Sequence, residues 1–229
     1  MPEVSIIVNC FNEAKYLREA LDSAFAQTFW DWEIIFWDNG SEDESSKIAE
    51  SYGDKVRCFR SETNTPLSHA RNQAFQVAQG RYLAILDADD VWLPTKLERQ
   101  IALFEADPGV GMAFCDSTFF DDAGDRSRVF DYTRPKRGKA FGSLLAHNFI
   151  LSSTMVFRRD CIENLEFVFD ERYTRVADYD LTLRMAYQYQ IDYHADPLNR
   201  CRVYDLEDKP WKKNMVSRPA EAKWALENL

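Results

Sequence analysis

Short apolar runs alternate with amphipathic ones through residues 1–107, and that alternation limits the folds open to the chain. Val4, Ile6, Ile7 and Val8 place four β-branched side chains in five positions, the pattern of a strand covered on both faces. After a break at Phe11-Asn12-Glu13, apolar residues recur at Leu17, Ala20, Leu21, Ala24 and Phe25, the i, i+3, i+4, i+7, i+8 stripe of a helix. The unit then returns. Glu33–Trp37 reads as a strand, Asp38-Asn39-Gly40-Ser41 as a turn, and Ile48, Ala49 and Tyr52 as a short helix. Val56–Phe59 reads as a third strand, Leu67–Gln79 as a helix that Gly80 is expected to stop, and Tyr82–Leu86 as a fourth strand that runs into acid. Strands alternating with helices imply a mostly parallel sheet with helices on both faces. In such sheets ligands bind at the carboxyl ends of the strands.

Pro94 fits the start of a further helix carrying Leu97, Ile101 and Phe104. The rhythm changes after Pro108. Gly111–Phe120 and a polar turn at 121–125 predict two antiparallel strands, followed by a basic loop from Arg134 to Lys139. Leu151–Phe157 reads as a strand, Asp178–Gln190 as a helix, Arg200–Tyr204 as a final short strand, and the last fifteen residues as a helix bearing Trp224 and Leu226. We expect a single domain: a parallel nucleotide-type half over 1–107, a mixed half over 108–205 and a tail over 206–229.

Charge and cysteine content narrow the function classes. A net charge of −10 with no basic stripe argues against wrapping nucleic acid. Five singly scattered cysteines read as small buried hydrophobes in a reducing compartment. No apolar run is long enough to cross a bilayer and the N-terminus lacks a signal-peptide pattern, so we expect a cytoplasmic protein, with peripheral membrane contact open to it.

The acid run Asp87-Ala88-Asp89-Asp90 places three carboxylates in four residues at a strand end. Like charges at that spacing repel unless a cation or a set of donors holds them. Oxygen ligands suit Mg²⁺ or Mn²⁺, which fills the rest of its sphere with phosphate oxygens and water. Helix capping by Asp90 is the other reading, whereas an EF-hand is excluded because Trp92 stands where its glycine must be. Asn39, beside Asp38, offers both an acceptor and a donor to a nucleobase edge, or serves as ordinary turn chemistry. Arg71 presents a planar fork to phosphate oxygens or to a surface carboxylate. Asp178 at a helix start is either a cap or a general base, and Asp180 points elsewhere on that helix.

Taken together, residues 4–13, the Trp37–Ser41 turn, Ala70-Arg71-Asn72, Asp87–Asp90 and Ala177–Leu181 resemble, in order and spacing, the inverting glycosyltransferases of family 2, which have a GT-A fold. The resemblance spans about residues 3–205. It implies that Phe11 and Glu13 border the nucleotide base, that Asp38 and Asn39 belong to the donor site with Asn39 on the base, and that Arg71 lies near the nucleotide pocket. It further implies that Asp89 serves ribose or metal, Asp90 the metal on the diphosphate, and Asp178 the acceptor proton. The expected reaction moves a sugar from a nucleotide-diphosphate donor to a hydroxyl of a carbohydrate or lipid-linked acceptor, with Mn²⁺ or Mg²⁺, in polysaccharide or glycoconjugate synthesis.

Three positions depart from the family pattern. Asn39 replaces the second of two adjacent acids, Ala177 replaces the acid before Asp178, and Tyr204 stands where many members have a His. These departures keep a second reading in view, a non-catalytic sugar-nucleotide or protein-binding module that retains the fold. A nucleotidyltransferase is disfavoured because Asn9–Lys15 contains no glycine for a phosphate loop.

Overall fold

The computed structural model describes residues 1–173 and 176–204. Each apolar run becomes a strand and each stripe a helix: β1 (Val4–Cys10), α1 (Ala14–Phe25), β2 (Trp32–Asp38), α2 (Ser45–Glu50), β3 (Val56–Arg60), α3 (Leu67–Val77) and β4 (Tyr82–Ile85). Then come β5 (Val91–Trp92), α4 (Lys96–Ala106), β6 (Val110–Asp121), β7 (Gly124–Arg128), α5 (Phe141–Ala146), β8 (Val156–Arg158), α6 (Arg159–Glu163), α7 (Ala177–Gln188) and β9 (Gln190–Arg202).

All of these strands join one mixed sheet in the order β3-β2-β1-β4-β8-β6-β9-β5, with β7 paired to β6. β1, β2, β3 and β4 are parallel, as expected for β-α units. β8 runs antiparallel to both β4 and β6, while β9 is parallel to β6. The ends of β1, β4, β6 and β9 therefore face the same way, and the candidate residues collect there.

The alternation of β1 explains the layering. Val4, Ile6, Val8 and Cys10 pack with Leu17 and Leu21 of α1 and Leu97 and Ile101 of α4 on one face. Ile7 packs with Phe75 of α3 and Leu181 of α7 on the other. This is an α/β architecture with helices on both faces of one mixed sheet.

Several local expectations are corrected. Gly80 does not terminate α3, which ends at Val77 with Ala78 already extended. The glycine is required by close approach: a Cβ there would lie 2.4 Å from the Ser5 nitrogen. Residues 151–157 are not one strand, because Ser152–Thr154 form a 3₁₀ turn before β8. Local bonding explains it, since Thr154 Oγ1 donates to the Leu151 carbonyl, offering the backbone an alternative to the ladder. The last strand is not short: β9 begins at Gln190, with Asp192, Tyr193 and His194 paired to β6 before the register shifts and pairing resumes at Pro197. Cys58 is exposed on edge strand β3 rather than buried, although all five cysteines are free. The helix expected over the last fifteen residues lies outside the described residues.

Candidate active site

The chain leaves β1 through Phe11, which is 43% exposed, and Asn12, which adopts a left-handed conformation at φ 56°. Asn tolerates this region because its short side chain bonds locally. Here Asn12 Oδ1 accepts from the Glu42 amide at 2.8 Å and the Asn12 amide donates to Ser41 Oγ at 3.0 Å. The β1 and β2 loops are thereby locked together. Glu13 precedes α1, and its amide donates to Ser45 Oγ at 3.2 Å. Asp43, which sequence reasoning missed, accepts from the Ala14 amide at 2.9 Å and so serves as a cap from the neighbouring loop.

Asp38 is 1% exposed. Its Oδ1 accepts from the Ser41 amide at 2.8 Å, while Oδ2 takes Ser46 Oγ and the Arg60 guanidinium. It therefore holds the turn as an Asx-type acceptor. Asn39 is occupied in the same way. Its Nδ2 donates to the Thr65 carbonyl at 2.7 Å and to Asn64 Oδ1 at 3.3 Å, and its Oδ1 accepts from the Thr65 amide and hydroxyl. All of the usual hydrogen-bonding capacity of the amide is spent on the 64–65 loop. Gly40, at φ +82°, passes so close to that loop that a Cβ would meet the Asn64 nitrogen at 2.8 Å.

Arg71 is neither exposed nor in a surface salt bridge. At 5% exposure on α3, it sends one terminal nitrogen to Asp87 Oδ1 at 2.7 Å and to Ser152 Oγ at 2.8 Å. Asp87 lies two residues beyond β4, and its amide donates to Ser153 Oγ at 2.9 Å. The 152–154 turn thus braces the acid run from behind. Two serines in an apolar stretch carried no sequence signal for that role.

Asp90 is 3% exposed, and its Oδ1 accepts from the Arg202 amide at 2.9 Å. Burial, with the charges of Asp87 and Asp89 pushing the same way, raises its carboxyl to about 8. Asp89 is partly exposed and its Oδ2 accepts the Tyr204 hydroxyl at 2.5 Å. Arg202 Nε also donates to the Asp89 carbonyl at 3.1 Å. The end of β9 therefore supports the acid run, a role that the sequence signalled only through Tyr204.

Asp178 sits at the start of α7, partly buried, with its Oδ1 accepting from the Tyr179 amide at 2.8 Å. Burial raises its carboxyl above the usual range; the Arg71 cation opposes that rise and Asp87 adds to it. The structure therefore brings Asp178, Arg71 and Asp87 into one electrostatic group. Asp180 faces away, clamped to Arg184 at 2.7 Å, while Arg184 also caps the Phe167 and Val168 carbonyls. Its role is structural.

Among the described residues no three His, Cys, Asp or Glu side chains form a cluster that encloses a metal on its own. The donor set still fits a hard divalent cation. Such ions in phosphate sites commonly take one or two carboxylates and leave the remaining positions to phosphate and water, and Asp87 and Asp89, both partly exposed beyond β4, offer carboxylate oxygens of that kind.

Carboxylates and a buried guanidinium gathered at the carboxyl ends of the strands suit the nucleotide-sugar transferase class. The chain belongs to that class by sequence as well: residues 5–165 match the model for glycosyl transferase family 2, and it is a family 2 glycosyltransferase. It is 30% identical to an uncharacterized glycosyltransferase of Rickettsia typhi over 98% of this chain and 71% of the relative. Identity is 29% to an uncharacterized glycosyltransferase of Methanocaldococcus jannaschii, over 95% and 74%. Among solved structures, S. aureus TarS 1-349 in complex with UDP-GlcNAc superposes with a TM-score of 0.78 at 21% identity, over 97% of this chain and 64% of that one. The mannosyltransferase PcManGT of Pyrobaculum calidifontis, in complex with GDP-Man and Mn2+, gives 0.68 at 21%, over 89% and 58%. The chain thus spans about three fifths of these solved structures, and the likeness to them is one of fold. No helix among the described residues is long and apolar enough to cross a membrane.

Proposed function

We propose that this glycosyltransferase moves a sugar, with inversion, from a nucleotide-diphosphate donor to an acceptor hydroxyl, using a divalent cation. The observation that carries the reading is the Arg71 bridge. One buried guanidinium bonds Asp87 of the acid run and biases the charge of Asp178 on α7. The residues expected to serve donor and acceptor are thereby coupled.

In this proposal Asp178 is the general base. It accepts the acceptor proton as the hydroxyl oxygen attacks the anomeric carbon from the face opposite the diphosphate. Its raised carboxyl makes it a stronger base than a solvated one, and the Arg71 cation opposes that rise. Asp89 and Asp90 would hold the cation, which would favour the ionised form of the raised Asp90 carboxyl and would offset the charge on the departing diphosphate. Phe11, partly exposed at the β1 end, supplies a ring face for the base, and Glu13 and Asp38 hold the loops around it. Asn39 acts on the base by fixing the 64–65 loop.

The donors named for the solved neighbours, UDP-GlcNAc and GDP-Man, set the first compounds to try. The acceptor is a carbohydrate or lipid-linked hydroxyl in polysaccharide or glycoconjugate assembly, made on the cytoplasmic side. The test is Asp178→Asn, which removes the base and keeps the shape. Donor binding is expected to persist while transfer falls by about 10²–10⁴; transfer within a few-fold of the parent overturns the assignment.

A further inference from the structure

The end of β9 grips the acid run at more than one point. The Arg202 amide takes Asp90 Oδ1, Arg202 Nε takes the Asp89 carbonyl, and the Tyr204 hydroxyl takes Asp89 Oδ2 at 2.5 Å. These donors are themselves held. The Arg202 guanidinium lies between the rings of Tyr16, at 4.2 Å, and Phe120, at 4.3 Å, and also reaches Glu19. Tyr204 meets Tyr16 edge-on at 5.8 Å. A side chain fixed in this way by ring packing presents its hydroxyl in one direction.

We infer that Tyr204 is a specificity-determining residue for the cation: its hydroxyl engages one lone pair of Asp89 Oδ2 and weakens that oxygen as a second ligand, which disfavours the bidentate grip that Ca²⁺ commonly uses. The inference rests on the proposed cation role of Asp89. Its chemistry follows from ligand geometry. Ca²⁺ takes six to eight oxygens and commonly uses both oxygens of a carboxylate, whereas Mg²⁺ requires near-octahedral coordination with single oxygens and retained water; Mn²⁺ likewise suits octahedral oxygen sites. A phenol that holds one carboxylate oxygen draws off part of its donor strength and so weakens the bidentate mode relative to the single-oxygen one, and partners of this kind fix the orientation of a ligand as well.

The test is binding, read without turnover. Mn²⁺ is titrated into the protein with UDP or GDP and followed by its electron paramagnetic resonance signal, after which Ca²⁺ is added as competitor. Wild type should bind Mn²⁺ saturably and release it only at high Ca²⁺. Tyr204→Phe, which keeps the ring against Tyr16 and removes the hydroxyl, should release Mn²⁺ at about tenfold lower Ca²⁺. Tyr16→Phe, which leaves the Tyr204 hydroxyl in place, should behave as wild type. Thermal melts establish that each variant is folded, and Tyr204→Leu replaces the Phe variant if that one does not melt cooperatively. An unchanged Ca²⁺ to Mn²⁺ ratio in folded Tyr204→Phe overturns the inference, as does an equal relaxation in Tyr16→Phe. Absence of saturable Mn²⁺ binding by wild type overturns instead the cation reading on which it stands.

Discussion

Replacing Arg71 with Met separates the two roles that the structure gives this guanidinium. Its terminal nitrogen makes charge-assisted bonds to Asp87 Oδ1 at 2.7 Å and Ser152 Oγ at 2.8 Å from a site only 5% exposed. Bonds involving a charged group contribute roughly 1.5–3 kcal/mol each. The Asp87 side chain keeps 35% of its exposure, so water would replace part of that bond, and the low end applies. The loss is then about 3 kcal/mol for the two bonds, or about 6–12 °C in Tm for a chain of this size. Methionine retains apolar contact with Phe169, whose ring lies 5.5 Å from the guanidinium carbon. The second effect is on Asp178. Arg71 holds its carboxyl down against burial, so removing the cation raises that carboxyl further, and the acid limb of the rate profile moves to higher pH. Arg71→Lys keeps a positive charge and should move the limb less. Melts and a pH profile of donor turnover read both effects. A variant that melts within about 2 °C of the parent, or whose acid limb stays in place, refutes the bridge.

Further predictions follow from the same geometry. Asp178→Asn removes a carboxylate that burial disfavours, so its Tm at pH 7 should equal or exceed that of the parent while transfer is lost; a clear fall in Tm contradicts the burial argument. Asp90 is raised to about 8 in the fold against about 4 in an unfolded chain, so the folded state binds more protons between those values. Stability of the cation-free protein should therefore fall as pH rises from about 4 to 8, and Mn²⁺ with a nucleoside diphosphate should flatten that fall; stability rising with pH across the window would exclude it. Asn39→Asp places acceptors against the Thr65 carbonyl and Asn64 Oδ1, so it should lower stability by about 1–3 kcal/mol and weaken nucleotide binding, both measurable by melts with and without UDP or GDP.

Much of the N-terminal half was legible because its burial is two-sided. Val4–Val8 and Tyr82–Leu86 contact helices on both faces, and runs of that kind read as strands without help from neighbours. β9 was misread because its middle carries Asp192, Asp196 and Pro197, and only its pairing with β6 overrides those local preferences. The 152–154 turn was hidden for the opposite reason: serine and threonine within an apolar run look like strand residues until their hydroxyls find partners. In the candidate site, the acid run and Asp178 announced themselves as carboxylates out of place. The bonding of the Asn39 amide to residues 64–65 was not legible, since hydrogen bonds across twenty-five positions leave no spacing signal. Arg71 read equally as a phosphate fork or a surface cation, because its bond to Ser152, eighty-one residues away, leaves no local signal.

The most direct test of the proposed transfer needs no knowledge of the acceptor, because water can stand in for it. Wild-type protein with Mn²⁺ is incubated with α-linked UDP-glucose, UDP-N-acetylglucosamine or GDP-mannose, and the released sugar is followed by proton NMR before the anomers equilibrate. Attack from the face opposite the diphosphate predicts that the β anomer appears first, that chelator suppresses release, and that Asp178→Asn abolishes it. An α anomer appearing first, or release that survives Asp178→Asn, would contradict the account.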